Sequence, residues 1–406
     1  MKDRILIISA VFPPEQVTSA FLNYDLAHEL AKDYEVTVLR PYPTRPIGMK
    51  FDYHGMGNEP FETILIDSYT HPQSSLIGRF RESIDFGRKC AAYIEKHHEE
   101  IAFIYNNPWQ LFGVNIVARK AHKYHIPYTV AIQDIYPECL FTNKKYPAII
   151  QNVAQSLLKP IDKYYQKNAA FIRTISDEMA DYLSSSRHLP RDKYLVVNNW
   201  QNDEDFSPLT KETTNDKLVF AYVGSINVHS NVDLIIRAFH QADLQNAEFR
   251  IYGGGNRTEQ CKALVKELGV KNVTFDMVSR DRVPEVQGAA DVLVLALPKG
   301  NGELCLPSKI TSYMLSSKPI LACVDLDSAT NRYLREANCG MVVESDNESA
   351  LAIAFEEFSK MKKERLVDMG RSGKCFADKH LTKTVNLKMV VDAIKDCINR
   401  KKGENR

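Results

Sequence analysis

Short apolar runs rich in β-branched residues alternate with segments of helical spacing along nearly the whole chain. Strands of a parallel sheet are buried on both faces and read as continuous apolar runs, whereas crossover helices show a 3.6-residue period. The alternation therefore predicts an α/β fold built from doubly wound parallel sheets. The predicted strands are residues 5–10, 35–39, 64–66, 101–105, 128–132, 171–174, 218–223, 249–252, 273–275, 292–297 and 320–323. The predicted helices are residues 16–32, 75–99, 110–124, 148–168, 231–241, 257–268, 282–288, 307–316 and 383–400.

A polar stretch without strand character, residues 198–217, interrupts this alternation near the middle of the chain. A chain of 406 residues exceeds the usual size of a single hydrophobic core, and the stretch has the composition of a linker. We therefore predict two Rossmann-like domains that face a cleft, at residues 1–200 and 218–375. The helix at 383–400 is expected to pack back on the first domain. Such an architecture suits a reaction between two separately bound substrates.

Overall composition excludes several classes of protein. The formal net charge is +1, so no strong field attracts nucleic acid. The eight cysteines include no C-x-x-C pair, which argues against zinc and iron–sulfur sites. No apolar run approaches the roughly 18 residues that a spanning helix needs, and the chain begins with MKDR instead of a cleavable signal. We expect a cytoplasmic protein with reduced thiols and no integral membrane segment.

The first strand–helix junction lacks the glycines of a dinucleotide-binding loop. The pattern G-x-G-x-x-G lets the backbone approach a pyrophosphate, yet residues 9–30 contain no glycine. A stiff Pro13-Pro14 pair instead leads to Thr18 and Ser19, small hydroxyl residues at a predicted helix start. These two residues can cap that helix and point at a ligand in the cleft, and the alternative is that they only cap the helix.

Two carboxylates follow the predicted strand 128–132 at its carboxyl end. Asp134 and Glu138 are four residues apart in the segment DIYPE. Loops at the carboxyl ends of parallel strands carry ligand-binding residues, and carboxylates there orient sugar hydroxyls or accept a proton from an acceptor. The alternative is an ordinary turn with two solvated acids.

The first predicted strand of the second half ends in Gly224 and Ser225, with Asn227 shortly after. Gly224 permits a tight turn and a close approach of the backbone to a phosphate. After the following strand, Gly254 lies in a run of three glycines. Such a run indicates close backbone approach and no more.

The stretch from residue 290 to residue 324 is the most informative for function. It reads as strand (VLVLAL), loop (PKGNG), helix (PSKITSYML) and strand (ILACV). Glu303 follows the loop, Pro307 and Ser308 open the helix, and Lys309 adds a positive charge beside the first helical amides. A loop of this kind is where α/β proteins hold phosphorylated ligands. Taken alone, the same pattern also describes an ordinary βαβ unit.

Two acidic triplets are similar to the D-x-D pattern that holds a metal on a nucleotide diphosphate. Residues 203–205 lie in the predicted linker, and residues 325–327 follow a late strand. Neither lies inside the first half of a nucleotide-binding domain, where such a site is expected. We therefore predict no metal site and no cofactor.

Together these motifs resemble the retaining glycosyltransferases of family 4, which have the GT-B fold, and among them the branch that builds O-antigens and capsules. The resemblance covers nearly the whole chain and depends on the order and spacing of the motifs. They are ILIISAVFPPE, QDIYPE, RTISDEMADYL followed by VVNNW and FSP, FAYVGSI, YGGGNR, and the stretch from ADVLVLAL to SSKPILA.

The resemblance implies a nucleotide-diphosphate sugar bound by the second domain, an acceptor held by the first domain, and retention at the anomeric carbon. Residues expected near the diphosphate and the nucleotide are Gly224, Ser225, Asn227, Gly254, Pro307 and Ser308. Residues expected at the reacting groups are Glu303, which would face the donor sugar, Lys309, which would neutralise the departing diphosphate, and Asp134. Residues expected at the acceptor are Thr18, Ser19 and Glu138.

The chain departs from the family pattern in its second half. Ser225 and Ser230 stand where the family often has an arginine and a lysine, and the second glutamate that commonly holds the ribose is missing near Thr311 or Ser312. These departures keep two other functions open. One is a nucleotide-sugar epimerase of the same fold, which would need no acceptor. The other is a non-catalytic relative that scaffolds polysaccharide assembly.

The resemblance implies a lipid-linked or free saccharide as the acceptor in surface polysaccharide synthesis. Residues 75–89 mix apolar residues with four basic ones, a pattern that suits contact with the anionic inner face of a membrane. A helix packed on its own domain has the same pattern, and both interpretations remain open.

Overall fold

The computed structural model describes residues 3–15, 17–44, 58–70, 76–109, 111–140, 147–206, 217–300 and 306–404. The chain divides into two compact units: the first is Met1–Asn198 with Leu387–Arg406, and the second is Asn199–Asn386. The second unit therefore begins where the predicted linker begins and extends past residue 375, the predicted end of the second domain.

The first unit contains a seven-stranded sheet in which every strand pair is parallel. The spatial order of its strands is β3-β2-β1-β4-β5-β6-β7. The strands are β1 (Arg4–Ser9), β2 (Glu35–Pro41), β3 (Glu62–Ile66), β4 (Ile101–Asn107), β5 (Tyr128–Ala131), β6 (Phe171–Thr174) and β7 (Tyr194–Val196). The helices between them are α1 (Thr18–Leu30), α2 (Leu76–His97), α3 (Phe112–Lys123), α4 (Ala148–Asn168) and α5 (Asp177–Arg187), with short 3-10 turns at Glu138–Leu140 and Arg191–Lys193.

The second unit contains a six-stranded parallel sheet with the spatial order β10-β9-β8-β11-β12-β13. Its strands are β8 (Leu218–Val223), β9 (Ala247–Tyr252), β10 (Val273–Asp276), β11 (Val292–Ala296), β12 (Ile320–Val324) and β13 (Gly340–Glu344). Its helices are α6 (Val232–Gln241), α7 (Thr258–Glu267), α8 (Val283–Gly288), α9 (Lys309–Leu315), α10 (Ala329–Ala337), α11 (Glu348–Ser359) and α12 (Lys363–His380), with 3-10 turns at Asp203–Phe206 and Arg280–Arg282.

Each sheet is buried between its helices. In the second unit, Phe355 of α11 packs edge-on against Phe220 of β8 and against Phe239 of α6, with ring centroids 4.8 and 5.3 Å apart. Aromatic pairs in this arrangement stabilise a core beyond the area that they bury. Both central strands β11 and β12 are buried at every residue, as expected for strands covered on both faces.

The last helix, α13 (Lys383–Glu404), returns to the first unit from Leu387 onward. Ile394 and Ile398 of α13 are buried. Two ion pairs join the helix to loops of the first unit: Lys395 to Asp33 and Lys402 to Asp3, each at 2.6 Å. No described helix is both long enough and apolar enough to cross a membrane.

The predicted α/β fold with two parallel-sheet domains is confirmed by these two sheets. Each strand that the sequence predicts is present, although several bounds shift by one or two residues. The sequence analysis does not predict β7, β13 or the helices α10, α11 and α12. Strand β13 lies at the edge of its sheet and is only partly buried along its length, so it lacks the fully apolar run of the central strands.

Candidate active site

In each sheet the strand order reverses at one point, between β8 and β11 in the second unit and between β1 and β4 in the first. The chain connections that leave the two strands at this point run in opposite directions, so a crevice opens outside the carboxyl ends of the strands. Open α/β sheets bind their ligands in this crevice. The residues that follow these four strands are therefore the first candidates for a site.

Lys309 lies at the reversal point of the second unit, because α9 begins there after the loop that follows β11. Its side chain runs along the backbone of Gly224, which directly follows β8. A Cβ built on Gly224 would lie 2.1 Å from Cε of Lys309 and 2.9 Å from its Nζ. The Lys309 Nζ is also 5.2 Å from the centroid of the Tyr222 ring, a cation–π distance. The structure thus brings Lys309 and Gly224 together, and a side chain at residue 224 would displace the end of the Lys309 side chain.

Gly224 has a φ of +148°, a region that residues with a side chain rarely adopt. Beyond it, the loops after β8 and β9 continue to pair as a short ladder. The Gly224 N–H donates to the Tyr252 carbonyl at 2.8 Å, and the Ile226 N–H donates to the Gly254 carbonyl at 3.0 Å. A Cβ on Gly255 would lie 2.1 Å from the Ile226 carbonyl oxygen. The glycine run after β9 therefore serves the close approach of two loops to each other.

Ser225 and Asn227 lie in the loop after β8. Ser225 is exposed and Asn227 is partly exposed. The Asn227 side chain organises this loop, because its Oδ1 accepts the His229 N–H at 2.8 Å and its Nδ2 donates to Ser225 Oγ at 3.2 Å. The Ser230 hydroxyl donates to the Asn227 carbonyl at 2.8 Å. The loop is thus held rigid while its Ser225 hydroxyl stays accessible to a ligand.

Helix α9 is anchored by hydrogen bonds of three of its own side chains. Thr311 Oγ1 donates to the Asn199 carbonyl at 3.3 Å, and Ser312 Oγ accepts from Gln287 of α8 at 3.2 Å. The buried Tyr313 hydroxyl accepts the Val223 N–H at 2.9 Å, at the end of β8. These bonds fix the position of Lys309 above the sheet. Pro307 and Ser308, which precede it, are partly exposed.

The loop after β11 is held by two carboxylates. The buried Asp325 accepts the Gly300 N–H at 2.8 Å, and Asp346 accepts the Lys299 N–H at 3.2 Å. Asp325 also accepts a hydrogen bond from the Ser345 hydroxyl. Asp325, the first acidic residue of the triplet at residues 325–327, is therefore occupied in fixing the loop. Glu303, predicted to face the donor sugar, lies outside the described residues.

The carboxyl edge of the second sheet also has a cavity that the sequence analysis did not predict. A cavity of about 170 Å³ opens beside the carboxyl ends of β9 and β10. Its lining residues are Tyr252, Asp276, Met277, Val278, Arg282, Glu285, Val286 and Ala289. Gly254 borders it, since a Cβ there would lie 3.0 Å from Sδ of Met277. These lining residues come from three separate segments, so only the topology of the sheet brings them together.

In the first unit, Thr18 and Ser19 are the first two residues of α1, and both are partly exposed. The helix N-cap is Val17, which offers no side-chain hydrogen bond, so neither Thr18 nor Ser19 occupies the capping position. The expectation that these hydroxyls cap α1 is therefore wrong, and their contact with a ligand stays a prediction. The hydroxyls lie on the helix that follows β1, at the reversal point of this sheet.

Three polar side chains that the sequence analysis missed occupy the same reversal point. Asn107 at the end of β4 donates from Nδ2 to Asn23 Oδ1 at 3.2 Å, and Asn23 donates to Ser9 Oγ at 2.6 Å. Ser9 ends β1. Their separation in the sequence hides this cluster, which only the pairing of β1 with β4 assembles.

Asp134 and Glu138, predicted as a pair of loop carboxylates, have different environments. Asp134 is exposed at the carboxyl end of β5. Glu138 is buried, and its two oxygens accept from the Arg187 guanidinium at 2.7 and 2.9 Å. Glu138 is therefore committed to contacts inside its own unit, which corrects the prediction that it contacts an acceptor.

Arg187 is the centre of a buried ionic network. It is 1% exposed and pairs with Asp162 of α4 at 2.5 Å as well as with Glu138. Burial opposes ionisation of Glu138, but the hydrogen bonds and charge of Arg187 outweigh it, so the pKa of the Glu138 carboxyl lies below its ordinary value. The network fixes the loop from residue 134 to residue 140 against α4 and α5.

Within the described residues, no group of three histidine, cysteine or acidic side chains is placed to hold a metal ion. The acidic triplet at residues 203–205 forms a 3-10 turn, and Asp203 accepts the Lys383 N–H at 3.3 Å.

Comparison with known proteins gives the class of the second unit. Residues 203–375 match the family described as "Glycosyl transferases group 1". This stretch is therefore a glycosyltransferase group 1 domain, and it contains Gly224, Gly254 and Lys309.

Individual relatives are distant. The chain is 22% identical over 265 residues to a probable glycosyltransferase, WbjE of Pseudomonas aeruginosa, and the match covers 60% of this chain and 63% of that protein. It therefore spans less than two thirds of WbjE.

Solved structures with the same fold cover almost the whole chain. Sucrose-phosphate synthase from Thermosynechococcus elongatus is 14% identical with a TM-score of 0.76, covering 98% of this chain and 100% of that one. Anabaena HepE in complex with UDP is 11% identical with a TM-score of 0.73, covering 97% and 100%. WaaG, a glycosyltransferase involved in lipopolysaccharide biosynthesis, is 14% identical with a TM-score of 0.67, covering 96% and 99%. The fold is thus that of the GT-B glycosyltransferases.

The buried Arg187 network yields a prediction about stability. Replacing Arg187 with methionine removes the ion-pair partner of the buried Asp162 and leaves Glu138 with Lys159, so the free energy of unfolding is expected to fall by about 3–5 kcal/mol. Arg191→Met is the matched control, because Arg191 also pairs with two carboxylates but is 39% exposed. Replacing Arg191 is expected to lower the free energy of unfolding by at most about 1 kcal/mol. Urea unfolding of both variants measures the difference, and equal losses would contradict the assigned role of Arg187.

Proposed function

We propose that this chain transfers a sugar from a nucleoside-diphosphate sugar to a saccharide acceptor, with retention at the anomeric carbon. The observation that carries the proposal is the position of Lys309. Its ammonium group lies at the strand-order reversal of a glycosyltransferase group 1 domain, against the backbone of Gly224 and beside the exposed Ser225.

The reaction breaks the bond between the anomeric carbon and a phosphate oxygen, so negative charge grows on the departing diphosphate. A preorganised cation in a site of low dielectric stabilises that charge strongly. Lys309 supplies this cation in our proposal, and the Ser225 hydroxyl with the backbone beside Gly224 donates to the phosphate oxygens. Lys309 would thus compensate for the serines at positions 225 and 230, where the family often has cations.

The cavity beside Gly254 is our proposed site for the nucleoside. Ligand pockets usually measure about 300–1,000 Å³, so a cavity of about 170 Å³ suits one part of a nucleotide. Asn227 holds the loop between this cavity and Lys309, and Pro307 and Ser308 place Lys309 at the helix start. Glu303 keeps its predicted role toward the donor sugar.

The acceptor site is proposed at the carboxyl edge of the first sheet. Thr18 and Ser19 offer hydroxyls there, and Asp134 offers an exposed carboxylate. In a reaction on a single face of the sugar, the acceptor oxygen forms the new bond to the anomeric carbon while its proton passes to the leaving phosphate oxygen. Asp134 then orients sugar hydroxyls. The product side is a glycosylated acceptor and a nucleoside diphosphate, so atoms and charge balance.

We further propose a saccharide acceptor, lipid-linked or free, in surface polysaccharide synthesis. Support comes from the resemblance of the motifs to the O-antigen and capsule branch, and from the fold shared with WaaG, a protein of lipopolysaccharide biosynthesis.

The first experiment is to replace Lys309 with alanine. Loss of one charge-stabilising group is expected to cost at least about 2 kcal/mol of transition-state stabilisation, which is about a 30-fold fall in kcat/KM. The donor and the acceptor are chosen from panels of compounds by thermal shift. A ligand at a hundred times its Kd adds about 2.7 kcal/mol to the free energy of unfolding. Lys266→Ala, on the exposed side of α7, is the matched control with unchanged turnover.

Full turnover by Lys309→Ala would remove Lys309 from the mechanism. Isomerisation of the donor without any acceptor would identify an epimerase instead.

A second experiment tests the source of the positive charge. Since Lys309 is proposed to carry the role that a divalent ion plays in other transferases, dialysis against a chelator is expected to leave kcat within about twofold of its value. Loss of activity on chelation, with recovery on adding magnesium or manganese, would show that a metal ion supplies the positive charge.

A further inference from the structure

Helix α4 presents an unusual surface to solvent. Ile149, Ile150, Val153 and Leu157 are 77, 52, 56 and 69% exposed. Four large aliphatic side chains within three turns of one helix form a contiguous patch, whereas single exposed apolar residues are ordinary. We call these four residues the α4 patch.

The α4 patch lies opposite the face by which α4 packs on its own unit. The buried residues of the helix are Asp162, Tyr165 and Gln166. Successive residues of an α-helix turn by about 100°, so the four patch residues fall within an arc of about 100° on the other side of the axis. Pro160, which is also exposed, falls within the same arc.

The charges on this outward face are all positive. Lys167 is exposed and Lys163 is partly exposed, and both follow the patch on the outward side of the last turns. Arg119 of α3 adds a third cation there, since its guanidinium stacks 4.2 Å from the Tyr164 ring. The only acidic residue in the sequence of α4 is Asp162, which is buried against Arg187. The face is therefore apolar at its start and cationic at its end.

Helix α2, which covers most of the predicted membrane segment at residues 75–89, does not present such a surface. Its Phe80 packs edge-on against Phe112 of α3 at 5.0 Å, and Phe86 is buried. The basic Arg79 pairs with Glu82 at 2.6 Å. Phe80 and Phe86 of α2 are thus used inside its own unit, and Ile77 is its one large apolar residue given as exposed among the described side chains, at 83%.

We propose that the outward face of α4 docks onto an anionic lipid bilayer. The aliphatic side chains of the α4 patch would enter the headgroup boundary, and Lys163, Lys167 and Arg119 would meet lipid phosphates. Interfacial helices have this composition, with aliphatic residues on one face and lysine or arginine at its polar margin. A second copy of this chain offers the same cations, so self-association would bring like charges together and is the less favourable occupant.

Docking would place a lipid-linked acceptor near the first sheet, because α4 also supports the loop that carries Asp134. Lys159 of α4 contacts Glu138 in that loop at 3.3 Å. This link to the acceptor rests on the proposed function. Membrane binding itself does not, since vesicles contain no donor sugar, and its failure would leave the transferase reaction intact.

The test is co-sedimentation of the full chain with phosphatidylcholine vesicles, with and without phosphatidylglycerol. The wild-type protein is expected to bind the phosphatidylglycerol vesicles and to be released by salt. The triple variant Ile149→Ser, Val153→Ser, Leu157→Ser is expected to bind at least tenfold more weakly, and Lys163→Glu with Lys167→Glu is expected to abolish the preference for phosphatidylglycerol. The matched control is Ile353→Ser with Val367→Ser, two exposed aliphatic residues of the second unit, with unchanged binding.

Thermal unfolding confirms that each variant is folded, which is expected because every substituted residue is exposed or partly exposed. The proposal would be overturned if the wild-type protein bound neither kind of vesicle, or if the triple variant and the control lost equal vesicle affinity. It would also be overturned if sedimentation velocity showed a wild-type dimer and a monomeric triple variant while neither protein bound vesicles.

Discussion

The contact between Lys309 and Gly224 is the interaction on which the site of the second unit depends. Lys309 lies where β8 and β11 diverge, and its side chain fills space that a side chain at residue 224 would occupy. The Tyr313 hydroxyl, bonded to the end of β8, and the Thr311 hydroxyl hold α9 in the position that this contact needs. Hydroxyl groups of α9 thus hold the helix in the position from which Lys309 reaches Gly224.

The reversal point of the first unit contains different side chains from that of the second unit. It holds neutral polar groups, Ser9, Asn23 and Asn107, while the charges of the unit are buried behind the loop in the pair of Arg187 with Glu138. Ser9 and Asn23 are almost fully buried, so they stabilise the reversal point from inside, whereas Lys309 in the second unit is partly exposed.

The sequence predicts the strands well because parallel strands buried on both faces leave continuous apolar runs, and it finds Lys309 and Gly224 because strand ends and helix starts are local signals. It fails where contacts join distant segments. Glu138 is 49 residues from Arg187, and nothing near Glu138 indicates that partner. The cavity beside Gly254 and the cluster at Asn107 likewise depend on strand order, which local patterns do not encode.

The central claim is that Lys309 recognises the terminal phosphate of a nucleoside diphosphate. Calorimetry on wild-type protein and on Lys309→Ala, with the best-bound nucleoside diphosphate and the corresponding monophosphate, tests it most directly. The account predicts that the substitution weakens the diphosphate at least tenfold more than the monophosphate, a difference of about 1.4 kcal/mol. Equal weakening of both ligands, or no weakening of either, would contradict it.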